Sequence, residues 1–124
     1  MSVILIVEDN ENNMMLVRDV LQFKGHETLE ATTGAEGVRL AIEHKPDLVL
    51  MDIQLPDIDG LTALARIREQ PALRHVPVLA VSASVMPDDQ QRIAASGFNA
   101  FITKPISVKS FVATVEGFLP AGKD

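Results

Sequence analysis

Apolar residues along this chain follow two alternating rhythms. Short unbroken runs are found at Val3-Ile4-Leu5-Ile6-Val7, Leu48-Val49-Leu50-Met51 and Val78-Leu79-Ala80-Val81. Between them lie longer stretches in which apolar positions recur every three or four residues. Unbroken runs rich in β-branched residues suit strands buried on both faces, and the longer spacing suits helices with one apolar stripe. A first helix is expected from about Glu11 to Lys24, with Leu16, Val17, Val20 and Leu21 inward and Gly25 as its stop. A weaker second strand covers His26 to Ala31. Thr33 and Glu36 have capping-box spacing and open a helix with Val38, Ala41 and Ile42 on one side, closed by Pro46. Gly60 to Arg68 reads as a helix with Leu61, Leu64 and Ile67 inward. A short polar helix runs from Pro87 to Ser96, ended by Gly97, and Asn99 to Ile102 forms a fifth strand. Ser107 caps a last helix carrying Val108, Phe111, Val112, Val115, Phe118 and Leu119, and Pro120 to Asp124 is a tail.

Strand and helix alternate five times, which implies a parallel sheet with helices on both faces and right-handed crossovers. The common solution for five strands is the flavodoxin-like order 2-1-3-4-5, an α/β fold whose switch point lies between strands one and three. Ligands bind at the carboxyl edge of such sheets. There the apolar runs meet chemistry: Glu8-Asp9 after the first, Asp52 after the third, Ser82 after the fourth, and Lys104-Pro105 one Thr beyond the fifth.

Close together and unneutralised, Glu8, Asp9 and Asp52 would raise one another's pKa. Three carboxylates and one ammonium leave two negative charges, which one Mg²⁺ cancels. Hard oxygen donors without His or Cys suit that ion. Taken alone, Glu8-Asp9 would be a solvated loop or a helix cap, and Lys104 a surface residue; their placement with Asp52 on neighbouring strands favours a metal. A carboxylate such as Asp52 can attack phosphorus and form an acyl phosphate. The metal and Lys104 can supply the charge neutralisation that phosphoryl transfer needs. Ser82 offers a hydroxyl to a phosphoryl oxygen, although a Ser at a strand end serves equally as a turn former. The Lys104–Pro105 bond has only the ~5–6% prior of any X-Pro bond to be cis.

Composition narrows the classes. The 124 residues make one domain, 1–124, and 47% apolar with 23% charged content is ordinary for a globular protein. A net charge of −6 argues against non-specific nucleic-acid binding and against docking on an anionic membrane. With no Cys there is no disulfide, thiol catalysis or thiolate metal site. The longest apolar run is too short to span a bilayer or serve as a secretory signal, so the cytoplasm is the expected compartment.

As a set, Glu8-Asp9-Asn10, Met51-Asp52, Leu55-Pro56 with Asp59-Gly60, Ser82-Ala83 and Lys104-Pro105 resemble the receiver domain of two-component response regulators. The resemblance covers essentially the whole chain. Ile6 to Glu11, Lys45 to Pro56 and Lys104 to Val108 look like the DivK type of single-domain regulator, and receivers fused to hybrid histidine kinases look similar. The resemblance implies a CheY-like fold with Asp52 as phosphoacceptor. It implies Mg²⁺ bound by Asp9, Asp52 and the backbone carbonyl of Gln54, with Glu8 acting through a water. Ser82 becomes the switch hydroxyl and Phe101 the switch aromatic. Lys104 contacts the phosphoryl group, and its bond to Pro105 is expected to be cis. The implied donor is a histidine kinase or phosphotransfer protein. The implied output is a downstream protein bound at the face of helix four, strand five and helix five.

Two departures stand out. Phe101 replaces a frequent Tyr, so its inward position leaves no hydroxyl to satisfy, and an inward-biased aromatic is expected. The stretch Ser84-Val85-Met86-Pro87 is unlike the DivK pattern.

The expected function is therefore a stand-alone phosphorylatable switch rather than an enzyme, the chain being too short for an attached output domain. The alternative is a receiver excised from a hybrid kinase. An aspartate-nucleophile phosphatase resembles a D-x-D pattern, and Gln54 occupies the place of the second Asp. A nucleotide or flavin carrier lacks its glycine signature here. His26, His44 and His75 are scattered without ligand spacing and read as surface residues. Met15 lies opposite the apolar stripe of the first helix; it is either an ordinary exposed residue or a contact for a partner's helices. Asp88-Asp89 is favourable charge in a helix's first turn.

Overall fold

The computed structural model describes residues 2–83 and 87–119, with the side chain of Asp89 also left out. Ser84, Val85 and Met86 and the tail from Pro120 to Asp124, both singled out above, lie outside the described residues. The elements run β1 (Val3–Val7), α1 (Glu11–Phe23), β2 (Glu27–Ala31), α2 (Gly34–His44), β3 (Leu48–Asp52), α3 (Gly60–Arg68), β4 (Val78–Ser82), α4 (Pro87–Ala95), β5 (Ala100–Thr103) and α5 (Val108–Phe118). All four strand pairings are parallel, in the order β2-β1-β3-β4-β5.

The unbroken apolar runs follow from a sheet covered twice. Leu5, Val7, Val49, Met51, Val78 and Ala80 join one core with α2, α3 and α4 residues such as Ala41, Leu64 and Ile93. The intervening Ile4, Ile6, Leu48, Leu50, Leu79 and Val81 join a second core with Met14, Val17, Leu21, Phe111 and Val115 of α1 and α5. The runs of β1, β3 and β4 thus alternate between two cores and stay apolar up to Asp52 and Ser82, while edge strand β2 carries Glu27, Thr28 and Glu30.

The helices bury narrower stripes than the spacing alone suggests. In α1 the buried residues are Met14, Val17 and Leu21, while Leu16 is 37% exposed. One residue is 100° of helix rotation, so a stripe centred on Val17 and Leu21 takes Met14 and turns Leu16 outward. Met15 is 43% exposed. Ile42 in α2 and Val108 in α5 are likewise outside their stripes, which are carried by Val38 and Ala41 and by Phe111 and Val115.

The helix ends have local causes. Asn10 caps α1 by accepting from the Asn13 N–H. Gly25 stops the chain there at φ +90°, a conformation that costs glycine little. At α2, Thr33 accepts from Glu36 N–H, while Glu36 Oε1 reaches back to Thr32 N–H. Ser107 occupies the cap position of α5 but makes no side-chain cap bond; only its carbonyl serves, accepting from Phe111 N–H at 2.8 Å. Asp88 is exposed in the first turn of α4.

Two features were not foreseen. Pro71–Leu73 forms a single 3-10 turn, held by Arg68, whose guanidinium donates to the Leu73 and Val76 carbonyls and to Asn99 Oδ1. His26 is half-buried rather than on the surface, because the turn at Gly25 brings its Nδ1 to accept from Ser2 N–H at 3.4 Å. His44 and His75 are exposed. Among the described residues, no helix is long and apolar enough to cross a membrane.

Candidate functional site

Strand register carries the chemistry to one edge. Val7 pairs with Met51, Asp52 with Val81, and Ser82 with Thr103. Glu8, Asp52, Ser82 and Lys104 therefore follow one another across four strands. Glu8 N–H continues the ladder onto Ala31 O at 3.0 Å, and Lys104 N–H does so onto Ser82 O at 2.9 Å. Each chain leaves the sheet at this edge with its backbone still fixed.

Asp52 and Glu8 are each 3% exposed, as is Ser82. Lys104 crosses above the sheet and pairs with both acids, its Nζ lying 3.1 Å from Asp52 Oδ2 and 3.0 Å from Glu8 Oε1. The other Asp52 oxygen accepts from Gln54 N–H at 3.0 Å. Asp9 is exposed, and Glu8, Asp9 and Asp52 each offer an oxygen within 4.8 Å of the others. The Lys104–Pro105 peptide bond is cis.

One ammonium does not neutralise this cluster. Burial, then the hydrogen bond and negative charge of Asp52, push the Glu8 carboxyl up to about 7, against the opposing pull of Lys104 and the Asn10 N–H. Burial lowers the Lys104 pKa, but its hydrogen bond to Glu8 and the charge and hydrogen bond of Asp52 outweigh that, and the net shift is upward. The excess negative charge and the all-oxygen donor set fit a hard divalent cation.

Besides the Gln54 bond to Asp52, the loop after β3 is tied down at three further places. Gly60 N–H donates to Ile53 O at 2.9 Å, closing the loop's base. A Cβ on Gly60 would meet the Asp52 carbonyl oxygen at 2.6 Å and Ile53 Cα at 2.9 Å, so only glycine lets α3 start so close to the end of β3. Asp59 caps α3 through Thr62 N–H, which, with weaker help from the Arg92 charge, holds its carboxyl below the usual range. Asp57 reaches α2, accepting from Gly34 N–H at 2.8 Å and Ala35 N–H at 2.9 Å. These bonds pull its carboxyl down to about 2. No sequence reading singled out Asp57, because its partners lie 22 and 23 residues away and no spacing rule links them.

Two cavities flank the acid cluster. One of about 410 Å³ is lined by Glu8, Asp9, Met15 and Arg18 among others, which puts exposed Met15 beside the acidic edge. The other, about 170 Å³, lies between Gln54, Asp59, Ser82 and Arg92. Phe101, on edge strand β5, is half-buried against the core that α3 and α4 cover. Its other surroundings form a shallow cavity with Thr103, Ser107, Ser110 and Thr114. The edge thus gathers Glu8, Asp9, Asp52, Gln54, Ser82 and Lys104, while Phe101 lies within β5, paired with Ala80, three residues before Lys104.

A doubly wound sheet with this acid and lysine set at its edge defines the receiver class. The family model described as response regulator receiver domain matches residues 4–116, and the chain belongs to that family. It is 47% identical over 116 residues to the polar-differentiation response regulator DivK of Brucella anthropi, covering 94% of each chain. Among solved structures it resembles the receiver domain of a Pseudomonas aeruginosa sensor histidine kinase with magnesium ion coordinated in the active-site cleft. That match has 30% identity and a TM-score of 0.88, over 94% of this chain and 96% of that one. The chemotaxis response regulator CheY4 of Vibrio cholerae shares the fold, with a TM-score of 0.91 at 24% identity over 96% and 99% of the two chains.

Proposed function

We propose that this chain is a DivK-like switch that accepts a phosphoryl group on Asp52 from a phosphohistidine donor in the cytoplasm. The observation that carries this reading is the pairing of buried Asp52 with Lys104 at 3.1 Å inside an acidic cluster. An isolated surface carboxylate would need neither.

The Asp52 oxygen attacks phosphorus, a P–O bond forms, the P–N bond to the donor imidazole breaks, and its electron pair returns to the ring. Lys104 is in place to neutralise a phosphoryl oxygen once it no longer has to balance the Asp52 charge. Asp9 and Asp52, with the Gln54 carbonyl and with Glu8 through a water, would hold Mg²⁺. The ion supplies charge neutralisation on the transferring oxygens. Ser82 offers its hydroxyl to the new acyl phosphate, and Phe101 follows into the core, which remodels the face of α4, β5 and α5 for a downstream protein. The size of that shift is set by differential contacts in the two states. The stand-alone DivK role is preferred to that of a receiver in a hybrid kinase because identity to DivK is 47%, against 30% for the kinase receiver.

Incubation with acetyl phosphate and Mg²⁺, followed by intact-mass measurement, tests the reading. One added phosphoryl group is expected, and none on Asp52→Ala. No adduct on the unaltered protein, or one that survives the substitution, overturns it.

A further inference from the structure

The loop from Ile53 to Gly60 leaves the sheet beside the acid cluster and returns to it, closed at its base by the Gly60-to-Ile53 hydrogen bond. Asp52 Oδ1 accepts from Gln54 N–H and so fixes the outgoing limb. Nothing in these two bonds stops the rest of the loop from pivoting about its base. The Asp59 cap is local to the start of α3, and it is the tie at Asp57, made to a neighbouring helix, that stops this. Asp57 grips the first turn of α2 with both carboxylate oxygens, at 2.8 Å and 2.9 Å. Beside it Ile58 lies against Gly34, where a Cβ would meet Ile58 Cγ1 at 2.5 Å.

Asp57 is exposed, and a surface carboxylate gains little from isolated contacts. Here it accepts from two otherwise open amides at a helix N-terminus, where negative charge is favoured. That helix is itself set against the sheet at Gly37, where a Cβ would meet Val7 Cγ2 at 2.6 Å. Val7 is the residue before Glu8. The loop carrying Gln54 is thus referred through α2 to the strand that carries Glu8 and Asp9.

We infer that Asp57 is a positioning residue for the cation site, its grip on the start of α2 holding the Gln54 loop in register with the acids at the end of β1. The inference rests on the metal reading above and adds a residue that would touch neither metal nor phosphoryl group. A positioning role differs from plain helix capping, and Thr33 provides the control. Thr33 caps the same helix end through Glu36 N–H but has no bond to the loop.

The test is calorimetric titration of MgCl₂ into the full chain, with thermal unfolding of each variant alongside. Asp57→Ala is expected to raise the Mg²⁺ Kd roughly tenfold, the low end for residues that act through a metal's ligands. Asp57→Asn keeps one acceptor and should fall between. Thr33→Ala should lower Tm and leave Kd unchanged. An unchanged Kd in Asp57→Ala, when the unaltered protein binds Mg²⁺, overturns the inference and spares the metal reading. An equal weakening by Thr33→Ala also overturns it. Failure of the unaltered protein to bind Mg²⁺ overturns the metal reading, and the positioning role with it.

Discussion

At the scale of residues, the buried pair of Glu8 and Asp52 decides most of the behaviour. Both are 3% exposed, and they share one lysine. Removing a negative charge should relieve the metal-free protein. Glu8→Gln is expected to raise its stability near neutral pH by on the order of 1 kcal/mol, since one pKa unit corresponds to about 1.4 kcal/mol and relaxation takes part of the shift. Lys104→Ala should act the other way, costing up to about 3–5 kcal/mol by leaving two buried acids without a cation. Urea unfolding in chelator checks both, and a stabilised Lys104→Ala would show that the charges are better solvated than their burial implies. Asp57 gives a pH signature. Its folded pKa of about 2 lies below the ordinary 3.8, so its contribution is complete above about pH 4 and is lost as pH falls towards 2. The stability gap between the unaltered protein and Asp57→Asn should be constant at pH 5 and above and close on acidification. A gap that persists at pH 2 would contradict the assignment.

At the scale of elements, β1, β3 and β4 were legible because their runs are short and apolar up to the ionisable or hydroxyl end, as strands covered on both faces require. Edge strand β2, with Glu27, Thr28 and Glu30, gave the weaker signal. Helix existence was legible from spacing, and helix phase was legible at the stripe's centre but not at its edges. Val38, Ala41, Phe111 and Val115 were read inward and are buried, but Leu16, Ile42 and Val108 were read inward too and are exposed, and only packing shows that Met14 joins the α1 stripe. The acid cluster was legible for a simple reason: parallel strands in a known order bring their ends together. Asp57 and half-buried His26 were not, because each depends on a partner remote in sequence. Gly60 belongs to this scale too. Its missing Cβ lets the start of α3 touch the Asp52 backbone. Gly60→Ala should destabilise by about 1–3 kcal/mol, because the obstacle is main chain and cannot rotate away. Gly117→Ala, with nothing within 4 Å of its Cβ position, is the matched control and should stabilise α5 slightly. Equal effects of the two substitutions in chemical denaturation would contradict the close-approach argument.

For the whole molecule, the fold gathers three carboxylates at one sheet edge, and that cluster exists only when the strands are in register. A cation bound only by the folded state stabilises it by mass action, by about 2.7 kcal/mol at a hundredfold excess over Kd. Mg²⁺ should therefore raise Tm in the unaltered protein and not in Asp9→Ala, read by calorimetry. The central claim is that this edge delivers a phosphoryl group to one carboxylate, and it is tested most directly by locating the modified residue. Borohydride reduces an aspartyl phosphate to homoserine, which peptide mass mapping can place after phosphorylation with acetyl phosphate and Mg²⁺. The account predicts homoserine at position 52 alone. Homoserine at position 9, or none at either position, would contradict it.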